Sequence, residues 1–170
     1  IETTHLPEEK KRGMTIELGF ASLQDPEVGT IGIVDVPGHE RFIRNMVAGT
    51  WGLDAALLVI AADDGWMQMT TDHLRVLKSM HVNAILVVIT KVDLVDSETL
   101  SLLREEIKLG CLQILGRVPP MTEVSSVTGV GIDELKKAIT TLVKSSNRKI
   151  VDKTFLYIDR VFTLKGIGIT

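Results

Sequence analysis

Strand-length apolar runs alternate with amphipathic helical stretches along most of this chain, and that alternation limits the fold more than any other feature. ALLVIAA (Ala56 to Ala62) and AILVVIT (Ala84 to Thr90) are continuous apolar runs of strand length. Between them, MTTDHLRVLKSM (Met69 to Met80) has helical period, with Leu74 and Leu77 on the inward side. A long helix follows in SETLSLLREEIKLGCLQIL, opened by Asp96 or Ser97 as cap. Then come a short strand in MTEVS (Met121 to Ser125) and a last helix in IDELKKAITTLVKS. Upstream, TIELGFASL (Thr15 to Leu23) alternates Ile16, Leu18 and Phe20, DPEVG supplies a turn, and TIGIVDV (Thr30 to Val36) reads as a second strand, so the pair predicts an antiparallel ribbon. HERFIRNMVAG changes to helical period, with Phe42, Ile43, Met46 and Val47 on one side. Apolar strands separated by amphipathic helices predict an α/β fold with a mostly parallel sheet and helices on both faces.

The bulk properties fit this and exclude other classes. A chain of 170 residues, 45% hydrophobic and 24% charged with net charge -3, is neither disordered nor a disulfide scaffold. Its one cysteine, Cys111, lies in an apolar helical setting and reads as a small core residue. The longest apolar runs are far shorter than the roughly 20 residues of a membrane-spanning helix, and no basic-plus-apolar leader opens the chain, so a cytoplasmic protein with no membrane partner is expected. The mild acidity gives no global case for nucleic-acid binding, which leaves that to local patches or to other parts of a larger protein. SSNRKIVDK (Ser145 to Lys153) is polar and poorly periodic, and FLYIDRVFTLKG after it is strand-like. The pattern predicts a domain over 1–148, a linker over 149–154 and the beginning of a β-rich domain over 155–170. Both ends are expected to continue, because VFTLKGIGIT breaks off inside what reads as a strand, a glycine turn and a further strand.

In an open parallel sheet, ligands bind beyond the carboxyl ends of the strands, where loops converge and helix N-termini point inward. Three such loops carry unusual residues: Asp35-Val36-Pro37-Gly38-His39, Thr90-Lys91-Val92-Asp93, and Ser125-Ser126-Val127. Each suits part of a nucleoside triphosphate. An Asp closing a strand suits a hydrated Mg²⁺, which takes few protein carboxylates. Gly38 lets a backbone N–H approach an anion, and His39 can orient a water toward a terminal phosphate. The Asp93 carboxylate can accept two parallel hydrogen bonds from N1–H and the exocyclic amine of guanine, a donor pair that adenine lacks. Lys91 can lay its stem over the base plane while its charge stays solvated.

KKRGMTI (Lys10 to Ile16), DVPGHERFIRNM, ITKVD and SSVTGVGIDEL together resemble the GTPase domain of translation factors, over essentially the whole chain. The resemblance implies a P-loop GTPase-type, Rossmann-like fold that binds GTP or GDP with Mg²⁺, followed by a β-barrel domain. It implies that Thr15 coordinates Mg²⁺ when GTP is bound, and that Asp35 holds the metal through water. Gly38 would donate its N–H to the γ-phosphate, and His39 would be the catalytic histidine that the ribosome brings into place. Thr90, Lys91 and Asp93 match the guanine-specificity motif, with Ser125, the backbone of Ser126 and Val127 closing over the base. Within the family, HERFIRNMVAG, AADDGWMQMTTDHL, Thr90 where Asn is more usual, and IDRVFTLKGIGIT are similar to the bacterial-type selenocysteine-specific branch. That branch implies delivery of selenocysteinyl-tRNA to the ribosome at recoded UGA codons, with an mRNA hairpin bound by C-terminal domains. The family's G-x-x-x-x-G-K-[ST] loop is not among these residues, and no Gly-Lys pair occurs. The loop and its strand are expected upstream, and the fragment alone is expected to be inactive. The alternatives are an elongation factor Tu-like GTPase, an initiation-factor γ subunit, the GTPase subunit of sulfate adenylyltransferase, or a nucleotide-free interaction module.

Overall fold

The computed structural model describes residues 15–42, 46 and 47, 52–146, and the backbone of 163–164 and 168–169. β1 (Gly19–Asp25) and β2 (Gly29–Asp35) form the expected antiparallel ribbon, in register from Gly19 opposite Asp35 to Asp25 opposite Gly29. Its turn is set by Asp25, whose Oδ1 accepts from the N–H groups of Glu27 at 2.8 Å and Val28 at 3.0 Å, and by Gly29, which takes a φ of 82°. The strand begins at Gly19 rather than Thr15, and the side of β1 that packs is the one bearing Ala21 and Leu23. Phe20, on the other side, is 64% exposed.

A parallel sheet follows, in the order β3 (Ala56–Ala61), β4 (Ile85–Thr90), β5 (Met121–Glu123). Around it lie α1 (Gln68–Ser79), α2 (Ser97–Leu115) and α3 (Ile132–Ser145). β4 is central and apolar on both faces. Ile85, Val87 and Ile89 pack with Leu74 and Leu77 of α1 and with Leu103, Ile107 and Cys111 of α2, whereas Leu86 and Val88 pack with Val124, just after β5, and with Leu142 of α3. Helices therefore cover both faces, as the alternation predicts. Removing a large aliphatic side chain from water in this way contributes about 1.5–3 kcal/mol. Cys111 is fully buried in this core, which pushes its thiol pKa up.

Local chemistry fixes the helix ends. Asp96, not Ser97, caps α2, its carboxylate accepting from the Thr99 N–H at 2.7 Å, and Gly116 ends the helix in the left-handed conformation with φ 74°. Across the α1–α2 contact, Trp66 lies on Gly110, where a Cβ would stand 2.6 Å from the ring. The indole N–H donates to the Thr71 hydroxyl at 2.9 Å.

β3 departs from the expectation for a continuous apolar run. Leu58 and Ile60 are buried, but Leu57 and Val59 are 42% and 60% exposed. The reason is position: among the described residues β3 is the edge of its sheet and does not pair with β2, the nearest strand of the ribbon in sequence. Between ribbon and sheet lies an apolar cleft of about 570 Å³, lined by Ile31, Ile33, Val34, Met46, Leu57 and Leu142 among others. The ribbon is held instead through α3, where the Thr140 hydroxyl donates to Asp25 at 2.5 Å and Lys144 pairs with Glu27.

Glu40–Phe42 forms a short 3-10 turn, and residues 46 and 47 are helical with Met46 buried. Ile43 and the other positions of the expected helix lie outside the described residues, as does the expected linker over 149–154. Near the C-terminus the backbone pairs Thr163 with Ile169 and Leu164 with Gly168, antiparallel. Among the described residues, no helix is long and apolar enough to cross a membrane.

Candidate functional site

The carboxyl ends of β3 and β4 are tied together. Ala62 N–H donates to the Thr90 carbonyl at 2.8 Å, and the Thr90 hydroxyl reaches the Ile60 carbonyl at 3.5 Å. Lys91 then takes the left-handed conformation, φ 57° and ψ 34°, which costs a residue with a side chain about 1–2 kcal/mol. Two hydrogen bonds hold it there. Leu94 N–H donates to the Lys91 carbonyl at 3.0 Å, and Val92 N–H donates to the Val124 carbonyl at 3.4 Å. The 3-10 turn Val92–Leu94 that results presents the Asp93 carboxylate to solvent.

The Val92–Val124 bond also brings the loop after β5 beside Asp93. Ser125 is completely buried, and its Oγ accepts from the Thr128 N–H at 3.1 Å. Its N–H donates to the Val130 carbonyl and its carbonyl accepts from the Gly129 N–H, both at 2.9 Å. The loop is thus a closed turn around one serine, with Ser126 and Val127 left exposed on its outer side. Below it, Arg104 of α2 makes a two-point ion pair with Glu123 at the end of β5. The pair holds the Glu123 carboxyl below its usual range.

Asp35 is the last residue of β2, and Pro37 after it is buried. Gly38 is exposed, and a Cβ there would meet nothing within 4 Å, so neighbours leave its backbone accessible. His39 is half-buried and anchored. Its carbonyl accepts from the Phe42 N–H at 2.8 Å, its Nδ1 accepts from the Arg41 N–H at 3.3 Å, and its ring meets Phe42 edge-on at 6.2 Å. With Nδ1 engaged as acceptor, the ring proton sits on Nε2. Thr15 is half-buried on the segment leading into Gly19, which pairs with Asp35. The Thr15 hydroxyl and Asp35 carboxylate are hard oxygen donors of the kind Mg²⁺ accepts alongside water and phosphate, so the residues fit that ion.

Residues 90–93 are therefore tied to Val124, which leads directly into the 125–127 loop, while Asp35 ends the separate ribbon and Val36–His39 follows it. Asp63 is the residue that sequence reasoning leaves out. Its carboxylate receives the Lys91 ammonium at 2.9 Å on both oxygens, and Asp64 lies 4.0 Å away. The Lys91 contact holds the Asp63 carboxyl below its usual range and raises the Lys91 ammonium above its own. The available signal was its place directly after an apolar strand, the same signal that marks Asp35.

A parallel sheet with these loops at its carboxyl edge is the arrangement of a nucleotide-binding α/β domain. The chain belongs to the family described as the Elongation factor Tu GTP binding domain, which matches residues 2–145. It is similar to the selenocysteine-specific elongation factors of Desulfomicrobium baculatum (46% identical), Haemophilus influenzae (43%) and Escherichia coli (39%). These matches cover 98–99% of this chain but only 26–27% of each relative, so the chain spans about a quarter of their length. Among solved structures, a bacterial selenocysteine-specific elongation factor is 40% identical with a TM-score of 0.85, covering 99% of this chain and 29% of that one. Translation elongation factor SelB from Methanococcus maripaludis, in complex with the GTP analogue GPPNHP, is 32% identical with a TM-score of 0.74, covering 91% and 34%.

Proposed function

We propose that this chain is the GTP-binding part of a translational GTPase that delivers selenocysteinyl-tRNA to the ribosome and is switched by GTP hydrolysis. The observation that best supports the reading is the bond between Val92 and Val124, which joins the turn carrying Asp93 to the segment leading into the Ser125 loop; in this reading the two form a two-sided seat for a guanine base. The exposed Asp93 carboxylate accepts from N1–H and the exocyclic amine, the Lys91 stem lies over the base, and Thr90, Ser126 and Val127 border it. Asp35 and Thr15 hold Mg²⁺, which neutralises charge on the phosphate oxygens when bound. Gly38 N–H donates to the γ-phosphate, so this segment senses whether that phosphate is present. His39 orients the attacking water through its Nε2 side when the ribosome is engaged.

The apolar cleft between β2 and β3 supports the domain assignment. Among the described residues both flanking strands have an unpaired edge there, so an upstream strand leading into a phosphate-binding loop has room to pair on both sides. The domain over 1–148 is then completed from upstream, the linker 149–154 follows, and 155–170 opens a β-barrel. The names of the relatives support the selenocysteine assignment, and with that reading we propose the ribosome, an aminoacyl-tRNA and an mRNA hairpin as partners in a cytoplasmic setting.

The test uses the intact protein from which this chain comes. With GTP present, it should retain selenocysteinyl-tRNA at least tenfold more tightly than a mixture of ordinary elongator aminoacyl-tRNAs, a gap of about 1.4 kcal/mol. Equal retention of both would place it among general elongation factors and overturn the selenocysteine reading.

A further inference from the structure

The hydrogen bonds of the Lys91 loop fix its backbone, and its side chain is held from another strand. The residue is exposed, its backbone is left-handed, and the bonds that fix the turn run through main-chain atoms. The side chain ends at 2.9 Å from both oxygens of Asp63, with Asp64 at 4.0 Å as a second negative neighbour. Asp63 comes from the loop after β3, so the ion pair spans the carboxyl ends of two neighbouring strands. The position before Lys91 makes this consequential. Thr90 gives its hydroxyl only a stretched contact to Ile60, and an Asn in its place would offer a longer polar arm with two donors.

We infer that Asp63 is a positioning residue for guanine-nucleotide binding, holding the far end of Lys91 so that the lysine stem is already laid across the base site before the nucleotide arrives. The inference rests on the guanine reading of Lys91 and Asp93. Lysine has four rotatable bonds, and a free lysine would lose that freedom on binding; one tethered at its ammonium has lost it already. Asp63 touches no part of the nucleotide in this account. Its effect passes through Lys91 alone, and because the pair is solvent-exposed, salt weakens it. The displacement of Asp63 and Lys91 from their usual titration ranges, each caused first by their mutual hydrogen bonding, agrees with the tether.

The experiment measures GDP binding by titration calorimetry in the intact protein at low and high salt. Asp63→Asn should weaken GDP about three- to tenfold at low salt, the range for leaving one long side chain unordered, and the gap should close at high salt. Asp63→Glu should restore most of the affinity. In a Lys91→Met background, which removes the ammonium and keeps the stem, Asp63→Asn should have no further effect. The same loss in both backgrounds would show that Asp63 does not act through Lys91 and would overturn the inference. So would unchanged affinity in Asp63→Asn, provided Asp93→Asn in the same protein turns preference from guanine to xanthine nucleotides. If the wild-type protein shows no preference for GDP over XDP, and Asp93→Asn changes nothing, the guanine reading itself fails and the inference falls with it.

Discussion

Gly131 packs directly against Glu123: a Cβ added to Gly131 would stand 1.9 Å from the Glu123 carbonyl oxygen, and Gly131 holds a φ of 73°. This contact closes the 125–131 loop onto β5 and starts α3 immediately afterwards. No rotamer relieves such a clash, because both atoms belong to the backbone or are fixed to it.

Gly131→Ala should therefore displace the Ser125 loop. The left-handed φ alone costs about 1–2 kcal/mol, and the collision with Glu123 adds to it. Urea unfolding should show a midpoint well below wild type, and guanine-nucleotide affinity in the intact protein should fall with it. An unchanged midpoint would mean that the loop has slack the structure does not display.

Gly110→Ala is a different kind of clash. Its Cβ would meet the Trp66 ring at 2.6 Å, and a side chain can move where a carbonyl cannot. Overpacking should cost about 1–3 kcal/mol, and the indole should leave its hydrogen bond to Thr71. In a chain whose other tryptophan, Trp51, is replaced by Phe, emission should shift to the red. Emission at the wild-type wavelength would contradict the packing described.

The link between ribbon and α3 predicts a pH dependence. The Thr140 hydroxyl, then the Glu27 N–H, hold the Asp25 carboxyl below its ordinary value of 3.8. A carboxyl with a depressed folded pKa contributes stability above its unfolded value, and that contribution is lost as pH falls through the folded one. Thr140→Val should lower the urea midpoint at pH 7, with the gap to wild type narrowing as pH drops below the ordinary aspartate value. A gap that is constant across that range would assign the effect to packing alone.

His39→Ala should separate binding from catalysis. The ring is anchored by Arg41 N–H and Phe42 rather than by any contact on the base side of the site, so GTP affinity of the intact protein should stay near wild type. Ribosome-stimulated hydrolysis should drop at least tenfold, about 1.4 kcal/mol of barrier. A normal stimulated rate would reject the role given to His39.

The elements that sequence alone revealed are those whose identity is written locally. α3 falls on Ile132–Ser145 and α1 buries Leu74 and Leu77 because a helical period states which face is apolar. β4 is buried on both faces because its run is apolar throughout. β3 has an equally apolar run, yet Val59 remains exposed, since burial depends on a neighbour that periodicity does not name. The same limit applies to the site. Asp35, Lys91, Asp93 and Ser125 stand in recognisable spacings, whereas Asp63 with Lys91, and Asp25 with Thr140 far along the chain, are pairings created only by the fold.

The central claim is that Asp93 reads guanine. In the intact protein, titration calorimetry should show wild type preferring GDP to XDP, and Asp93→Asn reversing that preference, because an amide swaps one acceptor for a donor and so matches xanthine instead. GDP affinity unchanged by Asp93→Asn would contradict it.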